Sequence, residues 1–464
     1  MTALSGGASQ RPTILRRRAF WVLAALTGLC LTVFLAAIPL PRADGQLIGS
    51  DGVGYYVYLP SFWLDHDLDF TDEYAYYFPA PPPPGEIPFY TQQTARGVPP
   101  NQWSIGPALL WSPFFLAAHG LFTTLAAMGL PVEISGYGLH YQAAVLIGGI
   151  LYAGVGLWLT YAFARVFVDE GAALAATVLI ALAGNLVYYM TAEPSMSHIP
   201  SCFVSGLFFY TWVRRRDRTD LLTPLLLGAI AGLGALVRPQ DGLFLLLPIL
   251  HHAPVALHGI RNHDMRKGWL WLRFAVLAAG AAFLLFFLQI LTWGVLYGDL
   301  LRSGYAYGED RFYWLEPRLG EVLFSAERGL FVWHPVFLLA LVGLAMLHQR
   351  DRCMTVLGFL GVAIQWYLIA SWGNWMQGDA FGGRMFIVCT PIFVLGLARL
   401  IEATADQWSW RAVLVVSLVL LFWNFLLFVE YRFVLVTAQR AVDWHDLTVG
   451  RLTRPVDLIL RRLQ

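Results

Sequence analysis

The sequence predicts an all-α polytopic membrane protein of about eleven spans, with a long first extracytoplasmic loop carrying interfacial helices. Three observations predict it. Of 464 residues, 58% are hydrophobic and only 13% are charged, more apolar surface than a water-soluble core can bury. Apolar runs long enough to cross a bilayer recur along the chain. Clusters of Lys and Arg fall in the gaps between those runs. A single transmembrane domain over 1–464 follows.

In order, the runs are 20–40, 139–163, 172–190, 198–213, 221–237, 242–257, 270–297, 330–347, 354–371, 385–401 and 411–431. The first follows three arginines, is about 20 residues long and lacks a small-x-small cleavage site, so it is an anchor helix and not a cleaved leader. A further stretch, 105–130, is apolar but interrupted by Ser112-Pro113 and His119-Gly120. If it stays outside as a re-entrant or interfacial helix pair, the N-terminal arginines, Arg165, the clusters at 214–218, 261–267 and 349–352, and Arg411 all face the cytoplasm. If it crosses, every cluster after the first is exported. The non-crossing arrangement is therefore expected, giving a first outer loop at 41–130, another at 298–329 and an amphipathic tail at 433–464. Within the first loop, "PAPPPPGEIP" at 79–88 reads as a stiff extended spacer. No internal repeat or inverted symmetry relates the halves.

The net charge of +1 gives no bulk field for nucleic acid. Cys30, Cys202, Cys353 and Cys389 all lie in or beside apolar runs without CxxC spacing, which reads as core packing and neither a disulfide framework nor a zinc site. GxxxxGK[ST], GxSxG and HExxH patterns are absent, so direct use of a nucleotide is not expected.

The chosen topology gathers the unusual polar residues on the outer face. Asp51 stands just after the first span between Ser50 and Gly52, with Gly54 beyond. A carboxylate there, with glycines allowing a tight turn, suits a general base at the lipid boundary; a turn or cap aspartate is the plainer alternative. Tyr55 and Tyr56 follow as candidate substrate contacts. Asp65, Asp67 and Asp69 alternate in "LDHDLDFTDE" and could seat a divalent cation, although the stretch lacks the glycine and closing glutamate of a calcium loop and also reads as a solvated acidic face.

"TAEPSMSH" brings Glu193 and His198 to the mouth of a span, and "VRPQDG" brings Arg238, Gln240 and Asp241. An arginine on the outer end of a span opposes the positive-inside bias, so it predicts an anionic ligand, with Asp241 as its alternative partner. The loop 298–329 mixes arginines with aromatics, Tyr305 and Arg328 among them, a pattern that could hold a phosphate and stack on sugar. "SWGNWMQGDAFGGR" packs Trp372, Trp375, Asp379 and Arg384 among four glycines, implying close approach of a ligand or of a neighbouring helix.

These features resemble the GT-C superfamily of integral-membrane glycosyltransferases, which contains protein O-mannosyltransferases and bacterial aminoarabinose transferases. The resemblance rests on Asp51 after the first span, the long first outer loop, the Arg238-Pro239 turn and the late "WGNWMQGDAFGGR" block before a final helix pair. It implies a sugar transferred from a polyprenyl-phosphate carrier to a glycan, lipid or protein acceptor, with Asp51 as general base and Arg238, Arg328 or Arg384 on the carrier phosphate. The chain departs from many relatives in having Asp51-Gly52 in place of an Asp-Glu pair. The expected setting is the inner membrane with the site facing the periplasm, with membrane lipid around it and no nucleic acid partner. A divalent cation is an open candidate, and no other cofactor is expected. The rival readings are a transporter or flippase for a lipid-linked or soluble solute, and a polymerase or ligase of lipid-linked glycans.

Overall fold

The computed structural model describes residues 12–38, 42, 44–80, 87–304, 311–405, 409–435, 441–454, 457 and 460, with only the backbone of 12–16. Among these residues the chain is helical apart from one isolated antiparallel bridge between Phe312 and Trp372. The helices are α1 (Pro12–Ala37), α2 (Asp51–Tyr56), α3 (Thr71–Tyr77), α4 (Gly106–Ala127), α5 (Leu139–Ala164), α6 (Glu170–Ala183), α7 (Leu186–Thr191), α8 (His198–Arg215) and α9 (Leu222–Val237). They continue as α10 (Leu246–Arg261), α11 (Met265–Tyr297), α12 (Leu319–Phe324), α13 (Leu330–Trp333), α14 (Val336–Met346), α15 (Arg352–Ser371), α16 (Thr390–Thr404) and α17 (Trp410–Glu430).

Eight helical segments are long and apolar enough to cross a membrane, and three shorter apolar helices accompany them. The bundle is an integral membrane protein, because apolar side chains cover its outside as well as its inside. In α11 and in the α17 segment only 11% of the most apolar window is buried, whereas 78% is buried in the segment containing α16, so α16 is the central helix and the other two face lipid.

Close helix crossings are made by small residues. Gly228 and Gly232 of α9 lie against the backbone of Ala278 and Ala282 of α11, Gly156 of α5 against α8, and Gly343 of α14 against Gly396 of α16. Without a hydrophobic drive between helices in lipid, this backbone proximity supplies the dispersion contact that holds the bundle.

Two expectations change. The stretch 105–130 contains one continuous helix, α4, and not a pair. Pro113 sits inside it, the Ser112 hydroxyl donates to the Ala108 carbonyl (2.8 Å), and His119 bonds the Tyr141 hydroxyl (2.9 Å), so the would-be breakers are absorbed by neighbours. Cys353 is exposed beside His251, while Cys30, Cys202 and Cys389 are buried; all four are free thiols.

The first loop is closed at its neck. The Gln142 side-chain oxygen, in the first turn of α5, accepts from the backbone N–H groups of Leu47 (2.9 Å) and Ile48 (3.1 Å). The chain therefore leaves α1 and enters α5 at one level. Between these points α4 starts against the end of α9, where Gly106 touches Leu236 and Val237, and its later part packs on the start of α5, with Phe122 against His140. Most of the proline-rich stretch, 81–86, lies outside the described residues, as does much of the tail at 433–464.

Candidate functional site

Asp51 opens α2, one-third exposed, immediately after Ser50, whose φ of +53° is a conformation that L side chains rarely adopt. Its carboxylate accepts from Nη2 of Arg384 at 3.1 Å, across 333 residues of sequence. Arg384 is buried, and its Nη1 rests on the Met196 sulfur at 3.6 Å. The Gly52 and Gly54 backbones are helical and need no special φ, contrary to the turn expected from the sequence. Their missing side chains make room instead: a Cβ on Gly52 would strike Ser195, and one on Gly54 would strike the Trp103 ring.

The 191–198 turn lies beside this pair. Glu193 accepts from the Tyr188 hydroxyl at 3.4 Å and lies 4.0 Å from Arg42. Burial pushes the Glu193 carboxyl above its ordinary range, opposed by Arg42 and Arg384 and reinforced by Asp51. Ser197 donates to the Tyr55 hydroxyl at 3.0 Å, and the Tyr55 ring meets Trp103 edge-on. Tyr56 is turned away: fully buried, it donates to the Gly136 carbonyl at 2.8 Å and belongs to the core of the first loop.

His198, also buried, lies within electrostatic reach of both Arg384 and Arg238. Arg238 Nη1 is 2.6 Å from Nδ1 and 2.9 Å from Nε2 of its ring. With its amide oriented as the hydrogen bonding demands, the Gln240 oxygen accepts from Nε (2.9 Å) and Nη2 (2.7 Å) of Arg238. Asp241 is not the salt-bridge partner of Arg238: it accepts from the Ser201 hydroxyl, and its other oxygen is buried without a hydrogen bond. The mid-chain arginine is thus held by neutral groups, which orient it without cancelling its charge.

The late block forms the other wall. Arg328, buried with a φ of +67°, donates from Nε to the Ala380 carbonyl (3.1 Å) and from Nη2 to Asp379 (3.2 Å). Gln377, at φ +66°, accepts from the Met385 N–H at 2.8 Å. Tyr431 lies within the electrostatic reach of Glu193, Arg328, Arg384 and Asp379, tying the two arginines of this block to one locality. Its glycines serve neighbouring chain: Gly373 faces Arg311 and Tyr313, Gly382 faces His334, and the Gly383 carbonyl accepts from Asn185 at 2.9 Å. Residues 311–318 run along 370–373, with Tyr313 N–H donating to Ser371 (2.6 Å) and Arg318 N–H to Ala370 (2.8 Å). Tyr305 lies outside the described residues.

A cavity of about 410 Å³ opens beside this centre. Arg238, Gln240, Gln289 and Gln365 supply polar atoms; Leu243, Phe286, Trp293, Trp314 and Trp372 supply an apolar wall. Met385, next to Arg384 in the chain, also lines it. On the other side of Trp372 a polar cleft of about 670 Å³ is walled by Tyr313, Arg318, Glu321 and Trp375. The arrangement can hold an amphiphile with an anionic head.

No cation ligand set forms at Asp65, Asp67 and Asp69. Asp67 accepts from Ser61 (3.0 Å) and the Asp69 N–H (3.1 Å), and Asp69 from the Thr71 hydroxyl (2.6 Å), so two of these carboxylates build turns. Asp443, His445 and Asp446 do bring ligand atoms within 4.8 Å of one another. Asp446 is nonetheless committed to Arg454 at 2.6 Å and to the Asp443 N–H at 3.0 Å. What the sequence did not single out are Arg42, Tyr188, Tyr431, Met196 and the positive φ of Ser50, Arg328 and Gln377; no local motif distinguishes them.

An archaeal oligosaccharyltransferase, AglB from Archaeoglobus fulgidus in complex with an inhibitory peptide and a dolichol-phosphate, superposes over 94% of this chain and 57% of its own, with a TM-score of 0.50 and 14% identity. The two share a fold. The apo form of the oligosaccharyltransferase from the same organism superposes over the same shares with a TM-score of 0.49 and 13% identity. At such identities the likeness is one of fold, and the chain spans little more than half the length of that enzyme. No family model and no curated protein matches the sequence.

Proposed function

We propose that the chain is a glycosyltransferase that moves a sugar from a polyprenyl-phosphate carrier to an acceptor hydroxyl at the extracytoplasmic face. The observation that carries this reading is the Asp51–Arg384 pair beside an amphipathic cavity with Arg238 at its polar end. The carrier phosphate lies against Arg238 with its isoprenoid chain along Phe286, Leu243 and Trp293, and the aromatic walls at Trp372 and Trp314 stack on the sugar. The bound dolichol-phosphate of the archaeal enzyme supports a lipid-linked donor in a protein of this fold.

The chemistry follows from charge. Asp51 takes the proton of the acceptor hydroxyl as its oxygen bonds to the anomeric carbon. The bond from that carbon to the phosphate oxygen breaks, and the carrier phosphate leaves with both electrons and a second negative charge. Arginines stabilise that developing charge most in the transition state. Arg384 faces both partners in this scheme: it holds Asp51 while the site is neutral and releases it as the phosphate competes for the guanidinium.

Sidedness belongs to the same proposal. The Gln142 clasp on Leu47 and Ile48 supports a first loop that begins and ends on one face, which leaves α4 within the outer leaflet and the basic clusters inside. The test of function is sugar transfer from a purified polyprenyl-phosphate donor in proteoliposomes. Asp51→Asn is expected to lower turnover about 10²–10⁴-fold with donor binding retained; near-normal turnover excludes Asp51 as the base.

A further inference from the structure

The molecule has a second basic cleft, whose lining shares no residue with the proposed donor cavity. It measures about 170 Å³ and lies where the ends of α1 and α17 meet. Its floor is Val33, Phe34 and Ala37 of α1 with Phe428 of α17, and its two charges are Arg42 and Arg432. No acid lines it. Arg432 makes no ion pair among the described residues, and the carboxylates nearest Arg42, Asp44 and Glu193, stand at 3.9 and 4.0 Å, the outer limit of pairing. The cleft opens to the membrane, since Val33 and Leu35 on α1 and Phe425 on α17 are exposed apolar residues.

This cleft reaches the reaction centre by contact. The Arg42 guanidinium packs on the Gly49 backbone, two residues before Asp51, where any Cβ would collide with it. Leu47, Thr191 and Ala192 line the cleft and continue directly into Asp51 on one strand of chain and Glu193 on the other. The donor cavity comes near the same pair at Met385, the chain neighbour of Arg384. Two apolar clefts, each carrying arginine, thus lie within a few residues of chain of the Asp51–Arg384 pair.

We propose that the cleft between α1 and α17 binds the anionic headgroup of a membrane lipid and that this lipid presents the acceptor hydroxyl to Asp51. The assignment as acceptor rests on the glycosyltransferase reading above; the assignment as a lipid site does not. Apolar floor, lateral opening, an Arg432 with no ion pair among the described residues and an Arg42 held only loosely by Asp44 and Glu193 fit an amphiphile with a phosphate near its head, and they fit neither a neutral lipid nor a soluble sugar. Donor and acceptor then both arrive by lateral diffusion in one leaflet.

The experiment is native mass spectrometry of the full chain released from detergent, with phosphatidylglycerol, phosphatidylcholine or inorganic phosphate added, so no turnover is needed. The wild type is expected to retain phosphatidylglycerol at least tenfold over phosphatidylcholine. Arg42→Gln/Arg432→Gln should abolish that preference, Arg42→Lys/Arg432→Lys should keep it, and Arg238→Gln should leave it intact. The lysine variant guards against misreading a folding defect. Equal retention of the two lipids, persistence in the double glutamine variant, or arginine-dependent capture of inorganic phosphate without lipid overturns the proposal. Preference for phosphatidylglycerol combined with inactive donor chemistry would leave the lipid site standing and refute the transfer reading alone.

Discussion

At the residue scale, the site is an arrangement of charges whose partners decide their use. Arg238 is oriented by His198 and Gln240, both neutral, and so keeps its charge for a ligand, whereas Arg328 is spent on Asp379 and the Ala380 carbonyl. Arg238→Ala is therefore expected to raise KM for the polyprenyl-phosphate donor by about 10–100-fold, the equivalent of one charge-assisted contact, in initial-rate kinetics. Arg328→Ala should instead loosen the block at 379–384 and lower thermal stability more than KM. Glu73 in the first loop offers a pH test. It is fully buried, and burial, with Asp65, Asp67 and Asp72 adding to it, raises its carboxyl from the model-compound 4.5 to about 8. A raised value means the folded protein holds the proton more tightly. Stability is then greatest below about 4.5 and falls as pH climbs to about 8. Glu73→Gln should flatten that slope in thermal unfolding measured from pH 5 to pH 8. Asp51, Arg238 and Arg384 could be proposed from sequence because a charge at a span boundary has few other uses; Arg42 and Tyr431 could not, since what surrounds them comes from partners remote in the chain.

At the element scale, the helices follow from composition and their interruptions do not. Hydropathy marks α5, α11 and α17 to within about five residues and the end of α1 to within three, because lipid penalises an unpaired backbone too heavily for anything but helix; it misses the start of α1, which runs back through the arginines to Pro12. It fails at α4, where Pro113 and Gly120 signal breaks but the helix continues, since a proline's lost hydrogen bond matters less when side chains and neighbouring helices pack the kink. It also assigns the wrong purpose to Gly52 and Gly54. Both lie in α2 and are small because Ser195 and Trp103 press on them. Gly54→Ala should thus cost about 1–3 kcal/mol by overpacking, read as a lowered unfolding midpoint, and Trp103→Phe in the same chain should restore part of it. The pairing of 311–318 with 370–373 was invisible beforehand, because the bridge between Phe312 and Trp372 is a backbone contact with no periodic signature.

At the scale of the whole molecule, the arrangement of polar residues is one-sided. Glu193 with His198, Arg238 and Arg384 come from three segments far apart in sequence yet meet in one locality, and a transporter would need such groups along a path through the middle. The proposed sidedness is testable by thiol labelling in intact cells: cysteines placed at Arg218 and Met265 should be protected from a membrane-impermeant reagent, and one at Glu316 should react. Reaction at the first two would reverse the assignment of faces. The charge bias could be read from sequence only by assuming that 105–130 does not cross, and α4 is itself one of the eight segments long and apolar enough to do so, which is why the labelling experiment decides the faces.

The separation between Asp51 and its arginine has a bearing on biogenesis. A ribosome adding about 5–20 residues per second needs on the order of half a minute to synthesise the 333 residues between them. For that interval the emerging chain carries Asp51 without its arginine. If the proposed chemistry holds, completion of the site is a late event in synthesis, reached only when the segment leading into α16 is in place.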